Sequence, residues 1–291
     1  MTVLYESIPT AIKAFANEIM HPVALIGCRT SPISLDCCEY DLAIFEPSQK
    51  DKQANQVVQV DKQPVELMHL TGSIKDHVID LANMVILKDN AKLMLSSAAK
   101  DVISGKNAKM LASSGKKSLI SSLFCQQKMR GAKHPVVAAM WLKIAAYEFI
   151  DGMIALSGNR PMPVHILEQV RQIDSRRAEG VEVALECIGA ERATRPAISR
   201  SMEAIKELKL EDYDKDLFLS KISHLLERRR LVDCYYYAGR VASKNLVSRT
   251  ESFHSQYSKL VQLALDLSSD SQSLEKMQKR LSRDVKIGLG H

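Results

Sequence analysis

Hydrophobic and polar positions divide this chain into a short strand-patterned part and a long helix-patterned part. Residues 23–26, Val-Ala-Leu-Ile, form an unbroken apolar run that stops at Gly27, the pattern of a buried strand closed by a turn. A polar loop containing Pro32 follows, and an apolar run resumes at 42–45 behind Glu39, Tyr40 and Asp41. Residues 56–60 and 65–70 read as two more strands, joined by a turn at 61–64 into a hairpin. Ahead of them Leu4, Ile8, Ile12, Phe15 and Ile19 recur at helical spacing, so residues 1–20 read as one amphipathic helix.

Beyond about residue 72 the strand pattern gives way to helical periodicity. Helices are expected at 74–87, 91–103, 118–129, 135–156 and 164–188, punctuated by Gly72, Gly105, Gly115, Gly131 and the turn at 158–163. After Pro196 come helices at 199–208, 215–245 and 249–267, then a polar, frayed tail from Ser268. The predicted class is α+β: a small mixed-sheet domain over 1–90, followed by an all-α helical bundle domain over 91–291.

Length agrees with that division, since 291 residues support two cores. Six cysteines are present without a Cys-x-x-Cys unit or matching histidine spacing, which predicts reduced thiols and no zinc. The most apolar long segment, 136–156, carries Lys143, Glu148 and Asp151, so it reads as a buried helix and no membrane partner is expected. The first twenty residues lack a basic-then-apolar leader, and the expected location is cytoplasmic.

Candidate chemistry concentrates behind Gly27. Residues two apart on a strand share a face at roughly 6.5 to 7 Å, so Glu39 and Asp41 converge while Tyr40 and Leu42 face away. Their repulsion is on the order of 2 kcal/mol at an effective dielectric near 20, and a divalent cation reverses it into attraction. Taken alone, such a pair is more often a solvated face; the flanking pattern changes that balance.

The run from Val23 to Phe45 resembles the signature of the DNA polymerase beta-like nucleotidyltransferase superfamily, apolar-apolar-Gly-Ser-Arg, a loop, then acid-apolar-acid-apolar, in particular that of its small prokaryotic members and kanamycin nucleotidyltransferase. Glu39 and Asp41 fall twelve and fourteen residues after Gly27, and Arg29 stands where small members often carry arginine. Cys28 replaces the usual serine and Glu39 the commoner aspartate. A thiol is the poorer phosphate partner.

The resemblance asks for a third carboxylate on a neighbouring strand. Asp61 and Glu66 are the candidates; Asp61 is explained by its turn, whereas Glu66 is a lone charge among apolar strand residues and is preferred. The resemblance then implies transfer of a nucleoside monophosphate from a nucleoside triphosphate, with ATP the expected one, to a hydroxyl acceptor. Glu39, Asp41 and Glu66 would be catalytic and hold Mg2+ or Mn2+. Gly27 and Cys28 would cradle the triphosphate, and Arg29 would either neutralise phosphate charge or serve as a surface loop arginine. The segment 141–151, running on into the helix opened by residues 160–167, resembles the helical domains that follow such nucleotidyltransferase domains. In that setting Lys143, Tyr147 and His165 face the acceptor cleft; as ordinary positions of a packed helix pair they do not.

Residues 96–134 hold eight lysines or arginines against one acid, Asp101, more positive charge than the whole chain's net +6. Such a window either attracts a polyanion such as RNA or is a solubilising face. Arg228-Arg229-Arg230 with Tyr235-Tyr236-Tyr237 spreads around a helix rather than forming one stripe. Ser114-Gly115-Lys116-Lys117 lacks the other residues of a phosphate-binding loop and reads as a turn. Arg249 and His254 match the loose spacing of HEPN-type nucleases, a match expected by chance in a chain with this many arginines and histidines. Two functions stand beside nucleotidyl transfer: a catalytically decayed nucleotide-binding module, and a nucleic-acid-associated protein built on the 96–134 window.

Overall fold

A computed structural model describes residues 2–46, 55–71, 77, 81, 83–92, 94–101, 107–173, 175–208 and 213–290. The class is α+β: a five-stranded mixed sheet lies in the N-terminal part and a helical region follows it. The chain forms two compact units, Met1–Leu111 and Ala112–His291.

The first unit opens with helices α1 (Thr2–Ser7) and α2 (Thr10–Glu18) in place of the single helix expected over residues 1–20. Pro9 separates them, its φ of −54° and ψ of 140° placing it outside the helical region. Strands β1 (Val23–Ile26), β2 (Tyr40–Phe45), β3 (Gln56–Val60), β4 (Gln63–Leu70) and β5 (Val85–Lys88) assemble in the order β3-β4-β2-β1-β5. β2 and β4 run parallel, and the other pairs are antiparallel.

Alternation builds a core on each side of this sheet. Val23, Leu25, Leu42, Ile44, Val65, Val85 and Leu87 pack with Ile8, Ile12 and Ala16 on one face. On the other, Ala24, Ile26, Ala43, Phe45 and Leu70 pack with Leu95 of α3 (Met94–Asp101). Residues 94–101 therefore belong with the sheet. Asp89 secures the start of α3, accepting bonds from Leu95 N (3.1 Å) and from Ser96 N and Oγ (2.9 and 2.8 Å).

β5 corrects the expected helix over 74–87. Met84-Val-Ile-Leu is a short apolar run that periodicity alone does not assign. The rest of that span, apart from His77, Leu81 and Asn83, lies outside the described residues. The hairpin turn contains only Asp61 and Lys62, both at positive φ (47° and 63°), because Val60 pairs with Gln63.

The second unit is helical. α4 (Asn107–Gly131) leads into α5 (Pro135–Leu156), followed by α6 (Ile166–Arg171), α7 (Ser175–Ile188), α8 (Arg195–Glu207) and α9 (Lys215–Glu227). Then come α10 (Leu231–Val247), α11 (Glu251–Gln256), α12 (Ser258–Ala264) and α13 (Ser271–Leu289). α5 is buried on nearly every side, as its all-round hydrophobicity requires.

Several expected boundaries move. Residues 114–117 are helical rather than a turn. There α4 meets α5 so closely that a Cβ on Gly115 would stand 2.8 Å from Gly152 O, so glycine here serves close packing. The helix expected at 215–245 breaks at Arg228–Arg230, where Arg229 adopts a φ of 56°. The spans 164–188 and 249–267 each divide into two helices, with a short 3-10 turn (Pro163–His165) ahead of α6. The tail expected to fray is α13. Its Leu274, Gln278, Leu281 and Val285 are buried at helical spacing, and Asp270 caps it by accepting from Ser273 N at 2.8 Å.

Candidate active site

β2 and β4 lie side by side in parallel, with Asp41 directly opposite Glu66. Glu39 stands two residues before Asp41, just ahead of β2, and so shares its face. The three side chains each present a carboxylate oxygen within 4.8 Å of the others. Their face is the one that carries Ala43, Phe45 and Leu70 further along, so the acids sit where the apolar layer against α3 gives out.

The surroundings differ among the three. Glu39 and Asp41 are buried, at 8% and 9% exposure, while Glu66 is half-buried and accepts a bond from Asn55 Nδ2 at 2.9 Å. Asn55, just before β3, carries no sequence signal for that role; only the hairpin register brings it to Glu66. Asp61 lies in the exposed two-residue turn, at the far end of β4's pairing with β3.

Gly27 closes the site from β1. Ile26 pairs with Asp41, and Gly27 follows at a φ of 77°. A Cβ at Gly27 would lie 2.9 Å from Asp41 Cγ and overlap the carboxylate oxygen. The backbone then winds through a 3-10 turn, Gly27–Thr30, in which Thr30 Oγ1 donates to Gly27 O at 2.8 Å.

Arg29 ties the connecting loop back on itself. Its Nε and Nη2 donate to Cys38 O (2.9 and 2.5 Å), Nη2 also reaches Asp36 O (3.1 Å), and the guanidinium lies 4.7 Å from the Tyr40 ring centroid. The Cys28 thiol shares a hydrogen bond with that of Cys38, which with burial and the charges of Cys38, Asp41 and Glu39 pushes its pKa well above the ordinary thiol value. Cys28 is a neutral thiol here.

The cluster fits a hard divalent cation. Three carboxylate donors lie within 4.8 Å of one another, where each charged pair repels by about 3 kcal/mol at an effective dielectric near 20. Oxygen donors of this kind suit magnesium or manganese better than a soft metal.

Of the other singled-out residues, Lys143, Tyr147, the tyrosine run, Arg230 and His254 are held by contacts within the helical unit. Lys143 is buried, donating to Tyr235 Oη (3.0 Å) and Leu265 O (2.5 Å); burial, then the charge of Arg192, lowers its pKa to about 7. Tyr147 is fully buried edge-on to Tyr236, their ring centroids 4.9 Å apart, and His165 is 1% exposed. Tyr235, Tyr236 and Tyr237 are buried, and Arg230 pairs with Asp233 (3.0 Å) and Glu168 (2.5 Å). His254, also buried, bonds through Nε2 to Leu246 O at 2.9 Å, a structural place rather than a nuclease pair with Arg249. In the basic window Lys100, Lys109, Lys116, Lys117, Lys128, Arg130 and Lys133 are exposed; Lys106 lies outside the described residues.

No family model matches this chain, and no curated protein sequence does. Among solved structures it is similar to a nucleotidyltransferase-like protein from Exiguobacterium sibiricum 255-15, at 14% identity over 93% of this chain and 90% of that one, with a TM-score of 0.35. So coarse a likeness adds nothing to the site, whose own geometry carries the functional reading. Among the described residues, no helix is long and apolar enough to cross a membrane.

Proposed function

We propose that this protein is a divalent-metal-dependent nucleotidyltransferase, moving a nucleoside monophosphate from a nucleoside triphosphate to a hydroxyl acceptor. The observation that carries the reading is the gathering of Glu39, Asp41 and Glu66 beside a left-handed glycine at the end of a strand. Glu39 and Asp41, fixed by β2, would hold the metal, and Glu66 on β4 would complete the set. A bound divalent ion would supply positive charge at the transferred phosphoryl group and lower the pKa of the attacking hydroxyl.

The chain's own residues do the rest. The absence of a Cβ at Gly27 admits the Asp41 carboxylate, and the turn that follows at Gly27 and Cys28 would offer backbone N–H groups to the triphosphate. Arg29 holds the loop that delivers Glu39. Glu66, the most accessible of the three acids, would accept the acceptor's proton. Magnesium or manganese is the expected ion and ATP the expected donor, in a cytoplasmic setting.

Cys28 favours one second reading. A neutral thiol where the superfamily usually has a hydroxyl fits a module that retains nucleotide binding and has lost transfer. The test is label transfer from the α-phosphate of each of the four nucleoside triphosphates, with magnesium or manganese, into a cell extract, comparing the native protein with Asp41→Asn. Label incorporated only by the native protein supports transfer and reveals the acceptor's class. Nucleotide binding without incorporation supports the decayed module.

A further inference from the structure

The helical unit carries a groove that the carboxylate site does not use. It lies where the C-terminal end of α4, the first turn of α5 and the first turns of α13 meet, and it encloses about 480 Å3. That is within the roughly 300 to 1,000 Å3 typical of small-molecule sites. Met129 and Leu274, both buried, form part of its wall together with Ala138.

The charge around this apolar wall is one-sided. Arg130, Lys133 and Lys279 line the groove and are exposed, against a single carboxylate, Glu275. One helix N-terminus adds to them, that of α5 at Pro135, a lining residue; that of α13 at Ser271 is already met by the Asp270 carboxylate. The C-terminus of α4 presents the opposite dipole end, and Arg130 and Lys133 stand at that end, where they offset it. An aliphatic wall rimmed by three cations rejects a cationic ligand and gives a fully polar anion nothing to bury.

We propose that this groove binds a small organic anion, an apolar body carrying one carboxylate or phosphate. The apolar body lies against Met129, Ala138 and Leu274, and the head group meets Lys133 and Lys279 at the rim. The carboxylate cluster of the first unit supplies none of these residues, so this site stands or falls separately from nucleotidyl transfer.

Isothermal titration of the full chain tests it, using octyl phosphate, octanoate, octylammonium and inorganic phosphate as probes. Two variants accompany the native protein. One is Lys133→Glu combined with Lys279→Glu, which reverses two exposed charges; the other is Ala138→Phe, which fills the groove. Thermal melting establishes that each is folded. The expected result is saturable binding of octyl phosphate or octanoate, weakened about tenfold or more in both variants, with the tighter probe identifying the preferred head group. Octylammonium or inorganic phosphate binding as tightly as the amphipathic anions overturns the proposal. So does binding that both variants leave unchanged, or the lack of any saturable binding at millimolar concentration.

Discussion

Gly27 and Asp41 are in contact through the one place on Gly27 where any other residue would carry a side chain: a Cβ there would lie 2.9 Å from Asp41 Cγ and overlap its carboxylate. The φ of 77° at Gly27 adds a second penalty for any replacement, of about 1 to 2 kcal/mol. Gly27→Ala is therefore expected to lose about 1 to 3 kcal/mol of stability and to displace Asp41 from the cluster. Denaturant unfolding and label transfer check the two effects together; a variant as stable and active as the native protein contradicts this contact.

The third acid separates two positions on one hairpin. Glu66→Gln is expected to lower transfer by about 100-fold or more, because it removes a charge opposite Asp41. Asp61→Asn, in the turn, is expected to leave it unchanged, since asparagine tolerates a φ of 47° as well as aspartate does. Steady-state transfer rates of the two variants decide between them.

Cys28→Ser is expected to preserve or raise activity. The thiol is held neutral by its hydrogen bond to Cys38, its burial and the nearby acids, so a hydroxyl loses nothing and gives a better partner for phosphate oxygen. A large loss of kcat would show that the thiol has its own role.

Much of this site was legible because it rests on short-range rules. An apolar run ending in glycine set β1, and the period of two placed Glu39 and Asp41 on one face. The placement of Glu66 opposite Asp41 depends instead on β2 and β4 pairing in parallel, a long-range choice that no local pattern encodes. β5 was illegible for a related reason: an apolar run as short as Met84-Val-Ile-Leu suits a strand or a buried helix equally, and antiparallel pairing with β1 decides it. α13 had the helical period in Leu274, Leu281 and Val285, but the polar stretch 268–273 concealed a capping aspartate. The break between α9 and α10 had no glycine to announce it, because Arg229 itself takes the left-handed conformation.

Lys143 gives the helical unit a pH signature. Its pKa, lowered to about 7 by burial, lies below that of the exposed side chain in the unfolded chain, near 10.4. Between those values the unfolded state binds more protons, so this residue makes stability rise with pH from about 7. The buried thiols of Cys125 and Cys234 and the half-buried thiol of Cys187, raised to about 11, 12 and 12, act oppositely once unfolded thiols ionise above about 8.5. Unfolding measured from pH 7 to 8.5 should therefore show a positive slope that Lys143→Met flattens. An equal slope in both proteins would assign it elsewhere.

The most direct test of nucleotidyl transfer by the Glu39–Asp41–Glu66 cluster is a paired-label experiment on purified protein with an extract-derived acceptor. One nucleoside triphosphate is supplied labelled at the α-phosphate or at the γ-phosphate, with magnesium, to native protein and to Asp41→Asn. Native protein is expected to place the α-label in the acceptor and release the γ-label in pyrophosphate, and Asp41→Asn to do neither. Transfer of the γ-label to the acceptor, or α-label transfer undiminished in Asp41→Asn, would contradict nucleotidyl transfer by this cluster.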